Sequence, residues 1–211
     1  MLSDAEFRQF LTFFNRPWSG FRKVRKGVKK RIRRRMVEIG CPNLAAYLKL
    51  LAVSSEEAQL CEQCLLVSIS RFFRDRQLWC YMQDQVIPRL LKNHPGPMRV
   101  WSAGCARGEE AYSLAILLAV MSVPPQVEIL ATDRHPECLK QAVSGVYNRS
   151  SLKEVPEDLK NRFFKALRGG RQYAIRAGSV PVIHWQEHNL LALPPPGPFH
   201  LIFLRNNLLT Y

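Results

Sequence analysis

Apolar residues recur at helical spacing through the first ninety residues of the chain. Over residues 21–39 they fall three or four positions apart, which predicts one buried stripe along a helix. The stripe consists of Val24, Val28, Ile32, Met36 and Ile39. Asn43 is a candidate N-cap for a second helix, and either Ser54 or Ser55 is a candidate N-cap for a third. The pattern predicts a helical N-terminal domain over residues 1–90.

The pattern changes after residues 91–97, a stretch containing proline and glycine that predicts a domain linker. Beyond it, short apolar runs alternate with helical segments. Strands are predicted at 98–103, 127–132, 182–185 and 199–204, and helices at 109–121 and 136–142. This alternation favours an α/β domain over residues 98–211, with a parallel sheet and helices on both faces. The chain ends soon after the fourth strand, so we expect this second domain to be incomplete.

Composition narrows the class of protein. The chain has 211 residues with 47% hydrophobic and 23% charged residues, which is typical of a globular protein. No apolar run reaches the ~18–20 residues needed to cross a bilayer, and the N-terminus lacks a signal-peptide pattern, so we expect a cytoplasmic protein. The six cysteines form no regular framework and are interpreted as reduced thiols.

The chain is strongly basic. It has 31 Lys and Arg against 17 Asp and Glu, a formal net charge of +14, and more than half of this excess lies in residues 1–90. The basic residues there surround the apolar stripe of the helix over 21–39, where like charges one turn apart repel each other. An acidic partner would relieve that repulsion. Nucleic acid, phospholipid and an acidic protein surface all satisfy this requirement.

Candidate chemistry falls at the predicted strand ends, where ligands bind in doubly wound sheets. Gly104 and Gly108 follow the first strand, and Glu109 and Glu110 come next; carboxylates there disfavour a pyrophosphate and favour a cationic ligand. They are equally consistent with two acids that complement a helix dipole. Asp133 could accept hydrogen bonds from ribose hydroxyls, or it could cap the helix that follows. Asn189 suits an adenine edge, although an ordinary loop residue is the simpler interpretation. A cationic nucleoside without phosphate describes S-adenosylmethionine.

The same residues lie in motifs that resemble the CheR family of chemotaxis-receptor glutamate methyltransferases. Ser70-Arg71-Phe72-Phe73-Arg74 resembles the family's Thr-x-Phe-Phe-Arg, and residues 101–113 resemble its Trp-Ser-Ala-x-x-x-x-Gly-Glu-Glu-x-Tyr-Ser block. Further matches lie at 131–133, 144–147, 189–191 and 203–206. The resemblance covers essentially the whole chain. It implies a small helical domain followed by a Rossmann-like methyltransferase domain.

The resemblance also implies a set of site residues. Together with the glycine turn, it assigns cofactor binding to Ser68, Ser70, Arg74, Gly104, Glu110, Asp133, Asn189, Leu190 and Asn206. Arg74 and Tyr211 are the catalytic candidates, with Ser70 and Arg74 expected to reach the site from the helical domain. The substrate-docking candidates are Arg22, Arg25, Lys26, Lys29 and Arg33. Arg107 departs from the family pattern and would oppose a sulfonium unless its side chain pointed outward.

The implied reaction is methyl transfer from S-adenosylmethionine to glutamate carboxylates, giving methyl esters and S-adenosylhomocysteine. The implied partner is an acidic protein, namely the cytoplasmic helices of methyl-accepting chemoreceptors. The chain itself is expected to be a monomer that does not insert into a membrane. No metal is expected, because Cys61 and Cys64 have no second pair and the histidines form no cluster.

Two alternatives stay open. A degenerate CheR-like module could bind acidic protein without catalysis. An RNA methyltransferase would suit the positive charge, although Arg205-Asn206-Asn207-Leu208 replaces the Asn/Asp-Pro-Pro-aromatic loop that such enzymes use on exocyclic amines.

Overall fold

The computed structural model describes residues 2–65, 70–94, 96–122 and 127–205. Within this part the chain forms two compact units with a boundary near residue 68. The first unit is entirely helical, and the second contains all the strands. Each is described by itself.

The first unit is built from five helices. They are α1 Asp4–Phe13, α2 Trp18–Phe21, α3 Arg25–Glu38, α4 Leu44–Val53 and α5 Ser55–Leu65. Asn43 Oδ1 accepts a hydrogen bond from the Ala46 N–H at 2.9 Å, and Ser54 Oγ accepts one from the Glu57 N–H at 3.2 Å. Both predicted helix starts are therefore confirmed.

The basic helix α3 is held to its unit by the predicted stripe. Val28, Ile32 and Met36 are buried, and they pack in one cluster with aromatic residues of α1 and α4. Because this stripe faces inward, four of the eight basic residues of α3 are exposed, namely Lys26, Lys30, Arg33 and Arg34.

The second unit begins with a helical segment, which runs through α6 Arg76–Tyr81, a π-helical turn Met82–Val86 and α7 Ile87–Asn93. Its other helices are α8 Glu109–Val120, α9 Pro136–Ser144 and α10 Glu157–Phe163. The strands are β1 Met98–Ala103, β2 Val127–Asp133, β3 Val146–Asn148, β4 Phe164–Leu167, β5 Gln172–Ile175, β6 Ile183–Glu187 and β7 Leu201–Phe203.

Four strands form a parallel sheet in the order β6-β2-β1-β7. This is the order of the first four strands of a Rossmann-like sheet, and the strand order reverses between β1 and β7. The predicted α/β class, the four strands and the helices α8 and α9 are confirmed, with shifts of one to two residues at several ends. The sheet thus places the candidate residues at its carboxyl edge.

A second sheet was not predicted from the sequence. β3, β5 and β4 form an antiparallel sheet in that order. These strands have only three or four residues each, too few for an alternating pattern to stand out.

Two further expectations differ from the structure. The boundary expected at 91–97 lies near residue 68 instead, because Trp79, Met82 and Ile87 share one buried core with β1 and α8. Helices were also expected on both faces of the parallel sheet. In the described part of the chain, α8 and α9 instead both pack on the face that carries Ala131. The opposite face is covered near Trp101 by loop residues.

Every helix in the described part of the chain is too short or too polar to cross a lipid bilayer.

Candidate functional site

The turn between β1 and α8 lies over the end of β2. Gly104, Ala106 and Gly108 have φ values of +72°, +49° and +88°. The Cys105 N–H donates to the Thr132 carbonyl oxygen at 2.8 Å, and the Ala106 N–H donates to Asp133 Oδ2 at 2.8 Å. These two bonds fix the turn at the carboxyl edge of the sheet, where α8 begins.

Gly108 is required by packing within the protein. A Cβ at this position would lie 2.8 Å from Cη2 of Trp185 and 2.9 Å from Cβ of Ala142. Its φ is also one that residues with side chains rarely adopt. The second glycine of the turn therefore lets α8 start against β6 and α9.

Glu110 lies in the first turn of α8 with its carboxylate largely buried. Oε1 accepts a hydrogen bond from Ser102 Oγ at 2.9 Å, and Oε2 lies 3.4 Å from Arg205 Nη1. Burial raises the pKa of Glu110, and these two contacts lower it only in part. The site thus contains a carboxylate that is costly to ionise without a cation beside it.

Asp133 ends β2 and is buried, with three donors around it. Oδ2 accepts the bond from Ala106, and Oδ1 accepts the His135 N–H at 2.9 Å and lies 3.0 Å from His135 Nδ1. Burial alone would raise the pKa of Asp133, but the hydrogen bonds from His135 and Ala106 lower it overall. Since an ionised carboxylate has about four acceptor positions, Oδ2 keeps capacity for another donor.

The two carboxylates lie close to one buried thiol. After burial itself, Asp133 and then Glu110 are the charges that most raise the pKa of Cys105. Arg107, in the same turn, is exposed and its side chain interacts with the Cys138 thiol of α9. The side chain that could have opposed a cationic ligand therefore points outward.

The loop after β6 adds residues at the same edge. The His188 N–H donates to the Asp133 carbonyl oxygen at 3.0 Å. Asn189 is exposed, and its Oδ1 accepts the Leu191 N–H at 3.0 Å, so the side chain stabilises its own turn. Leu190 packs beside Trp101. The His188 backbone thus joins this loop to the end of β2, and Asn189 acts as a turn residue within it.

Ser70 and Arg74 lie in the sheet-containing unit, and not in the helical domain from which they were expected. Phe72 packs edge-on against Tyr147 at 4.8 Å, and the Phe73 N–H donates to Ser113 Oγ at 2.9 Å. Ser70 hydrogen-bonds the buried carboxyl of Glu109, whose pKa burial raises. These contacts carry Ser70 and Arg74 on a segment anchored to α8.

Arg205 was not among the residues predicted for the site. It lies two residues beyond β7, and its guanidinium contacts Glu110, Asp75 and the Arg74 carbonyl oxygen. Its position in the 203–206 motif was a signal for its involvement, but only Asn206 was assigned a role there. Three other assigned residues, Ser68, Asn206 and Tyr211, lie outside the described residues.

The docking candidates on α3, together with Arg22 just before it, separate into two groups. Arg22, Lys26 and Arg33 are exposed. Lys29 is only 7% exposed, and both Lys29 and Arg25 pair with Asp4. Lys29 is therefore unavailable for docking, because the helix turns it toward α1.

The described residues contain no group of three or more His, Cys, Asp or Glu side chains that could hold a metal ion.

Comparison with known proteins identifies the family of the chain. Residues 68–211, more than half of the chain, match the family described as CheR methyltransferase, SAM binding domain. The chain is similar to a chemotaxis protein methyltransferase of Listeria innocua, with 38% identity over 147 residues that cover 70% of this chain and 55% of the relative.

Two other relatives are matched over more of their length. A chemotaxis protein methyltransferase of Escherichia coli K12 is 30% identical over an alignment covering 100% of this chain and 75% of the relative. Chemotaxis protein methyltransferase 2 of Pseudomonas aeruginosa is 34% identical, covering 87% and 67%. The matches to the two Listeria relatives span about half of those proteins.

Proposed function

The chain belongs to the CheR methyltransferase family, and from this premise we propose that it transfers methyl groups from S-adenosylmethionine to glutamate side chains of chemoreceptor-like proteins. The observation that carries the proposal is the buried carboxylate of Glu110. It lies at the carboxyl edge of the parallel sheet, with Asp133 on the other side of the same turn.

These residues fit the cofactor. Glu110 has one oxygen bound by Ser102 and a second with only a long contact to Arg205, so it can pair with an ammonium group. Asp133 is held in its ionised form by hydrogen bonds and can accept a ribose hydroxyl. When bound, S-adenosylmethionine supplies an electrophilic methyl group on a sulfonium.

The protein's part of the reaction is binding and alignment. A glutamate substrate has a pKa of ~4.3 and is already ionised at neutral pH, so no general base is required. Arg74 lies between the buried Phe73 and the start of α6. It is proposed to orient the incoming carboxylate through the N–H donors of its guanidinium group. In the overall transfer, a carboxylate oxygen gains the bond to the methyl carbon as the bond to sulfur breaks.

The proposed docking surface is the exposed stripe of α3 formed by Lys26, Lys30 and Arg33. These residues follow each other at steps of four and three, so they share one face of the helix. Val37 continues the stripe and is 62% exposed. Lys30 takes the place of the buried Lys29 in the predicted set. The chemistry of this surface suits an acidic helix with apolar residues among its acids, such as a receptor's cytoplasmic helix.

Labelled methyl transfer to receptor cytoplasmic fragments and to RNA tests the proposal, with S-adenosylhomocysteine titrated calorimetrically in parallel. Base-labile label on the receptor fragment is the expected result. Label on RNA alone would assign the other substrate class, and the absence of binding heat at millimolar ligand would indicate a non-catalytic module.

A charge reversal of Lys30 and Arg33 together to Glu tests docking. We expect transfer to the receptor fragment to fall at least tenfold at low salt, with less difference at high salt, because exposed charges are screened. Lys165→Glu, on the exposed side of β4, is the matched control and should have no effect. Equal loss in this control would contradict a specific docking stripe.

A further inference from the structure

Glu109, the residue before Glu110, is a second buried acid at the start of α8. It is only 3% exposed, and among the described residues its Oε2 has no hydrogen-bond partner. Its Oε1 lies 3.4 Å from Ser151 Oγ, and Ser70 hydrogen-bonds the same carboxyl group. The proposed reaction uses Glu110 and leaves this second carboxyl group without a role.

The surroundings of the Glu109 carboxyl favour its protonated form. A buried carboxylate with one unpartnered oxygen is costly, whereas a neutral acid can donate to a hydroxyl. Burial raises the pKa of Glu109, and the contacts with Ser70 and Ser151 lower it only in part. Arg107 acts on this group through its charge alone, since its exposed side chain interacts with the Cys138 thiol.

Two other titratable groups face Glu109 from neighbouring elements. Tyr147 of β3 and Cys138 of α9 each have a pKa that burial raises, and the charge of Glu109 adds to both shifts. The pKa of Cys138 reaches about 11, and that of Tyr147 is well above its ordinary value of 10.0. Both groups therefore keep their protons at neutral pH and below, where a carboxyl group titrates.

Glu109 also ties the segment that carries Arg74 to α8. Ser113 Oγ donates to the Glu109 carbonyl oxygen at 2.6 Å and accepts the Phe73 N–H at 2.9 Å. The Glu109 side chain holds Ser70, three residues before Phe73. One residue of α8 thus anchors the segment at two points just before Arg74.

We infer that Glu109 is a positioning residue that carries a proton in the folded protein and holds the segment from Ser70 to Arg74 through neutral hydrogen bonds. The two adjacent acids then have different tasks. Glu110, which Arg205 approaches to 3.4 Å, provides negative charge for a cationic ligand, and Glu109 provides a neutral tie. The kinetic consequence rests on the proposed function, because it takes Arg74 as the residue that orients the substrate carboxylate.

Infrared difference spectra of the wild type and Glu109→Gln test the protonated state. At neutral pH the wild type should show the carbonyl band of a protonated carboxylic acid, which Glu109→Gln lacks and the control Glu128→Gln retains. In urea titrations the wild type should lose stability relative to Glu109→Gln as the pH rises above 4.5, because the unfolded chain releases the proton first. Absence of the band, or a stability difference that is independent of pH, would overturn the proposal.

Steady-state methyl transfer to the receptor fragment tests the positioning role. Glu109→Gln keeps a neutral hydrogen-bonding group, so its kcat should stay within about threefold of the wild type. Glu109→Ala removes the tie and should lower kcat at least tenfold with little change in KM, because Arg74 is displaced while the docking stripe is intact. If the alanine variant does not fold, Ser151→Ala removes one hydroxyl partner and should lower kcat about threefold.

The outcomes separate this inference from the proposed function. A tenfold loss of kcat in Glu109→Gln, or wild-type kcat in the variant that removes a tie, would overturn the positioning role. If the wild type transfers no methyl group to the receptor fragment, the proposed function fails. The infrared and urea measurements then still decide whether Glu109 is a protonated tie, because neither of them requires a substrate.

Discussion

Replacing Glu110 with Gln separates what this carboxylate does for ligand binding from what it does for folding. Glutamine has the same shape, and its amide oxygen can keep the 2.9 Å hydrogen bond from Ser102 Oγ. The negative charge is lost, and with it the 3.4 Å contact to Arg205 as an ion pair. The substitution therefore changes charge at one position with little change in packing.

The expected binding loss follows from the strength of a charged hydrogen bond. Such a bond contributes about 1.5–3 kcal/mol, so S-adenosylhomocysteine should bind roughly 10- to 100-fold more weakly to Glu110→Gln. Calorimetric titration measures this directly. Glu128→Gln is the control, because Glu128 lies near the start of β2, away from the carboxyl edge, where it pairs with Arg99.

Although Glu110→Gln should weaken ligand binding, it should not lower the free energy of unfolding of the ligand-free protein. Burial raises the pKa of Glu110, so ionising it costs more in the folded than in the unfolded protein. That cost is present above the folded pKa and vanishes as the pH falls below the ordinary value of 4.5. At pH 7 the ligand-free variant should unfold at the same temperature as the wild type or higher. A lower unfolding temperature together with unchanged affinity would refute the reasoning.

Two further variants test how the turn is built. Gly108→Ala should lower the free energy of unfolding by about 2–5 kcal/mol, because it combines a left-handed φ with a Cβ only 2.8 Å from Trp185; the urea midpoint measures this. Asp133→Asn should be less stable than the wild type at pH 7, and the difference should narrow as the pH falls below 3.8. The lowered pKa of Asp133 contributes stability only above that range, so a pH-independent difference in urea midpoints would contradict this origin.

Much of the site could be predicted because its parts lie next to elements with strong patterns. β1 and β2 are long apolar runs, and the turn that follows each one contains glycine or acid. Parallel strands bring their carboxyl ends to one edge, so Glu110 and Asp133 could be placed together before any coordinates. Both carboxylates raise the pKa of the buried Cys105 thiol, after burial itself, which supports this placement.

The contributions of Lys29 and Arg205 could not be predicted in the same way. A basic residue beside an apolar stripe is exposed or buried according to whether a neighbouring helix presents an acid, and Asp4 does so for Lys29. Arg205 meets Asp75 and Glu110 from positions 130 and 95 residues away along the chain. Spacing along a chain does not specify such distant pairs.

The sequence by itself determined the helical and α/β parts, the parallel strands, the acidic turn and the family, because each depends on periodicity or on motifs within a few residues. The tertiary structure decided the boundary near residue 68, the antiparallel sheet, the burial of Lys29 and the contacts of Arg205. These depend on which surfaces meet after folding, and the free energy of burial and of ion pairing depends on neighbours in space.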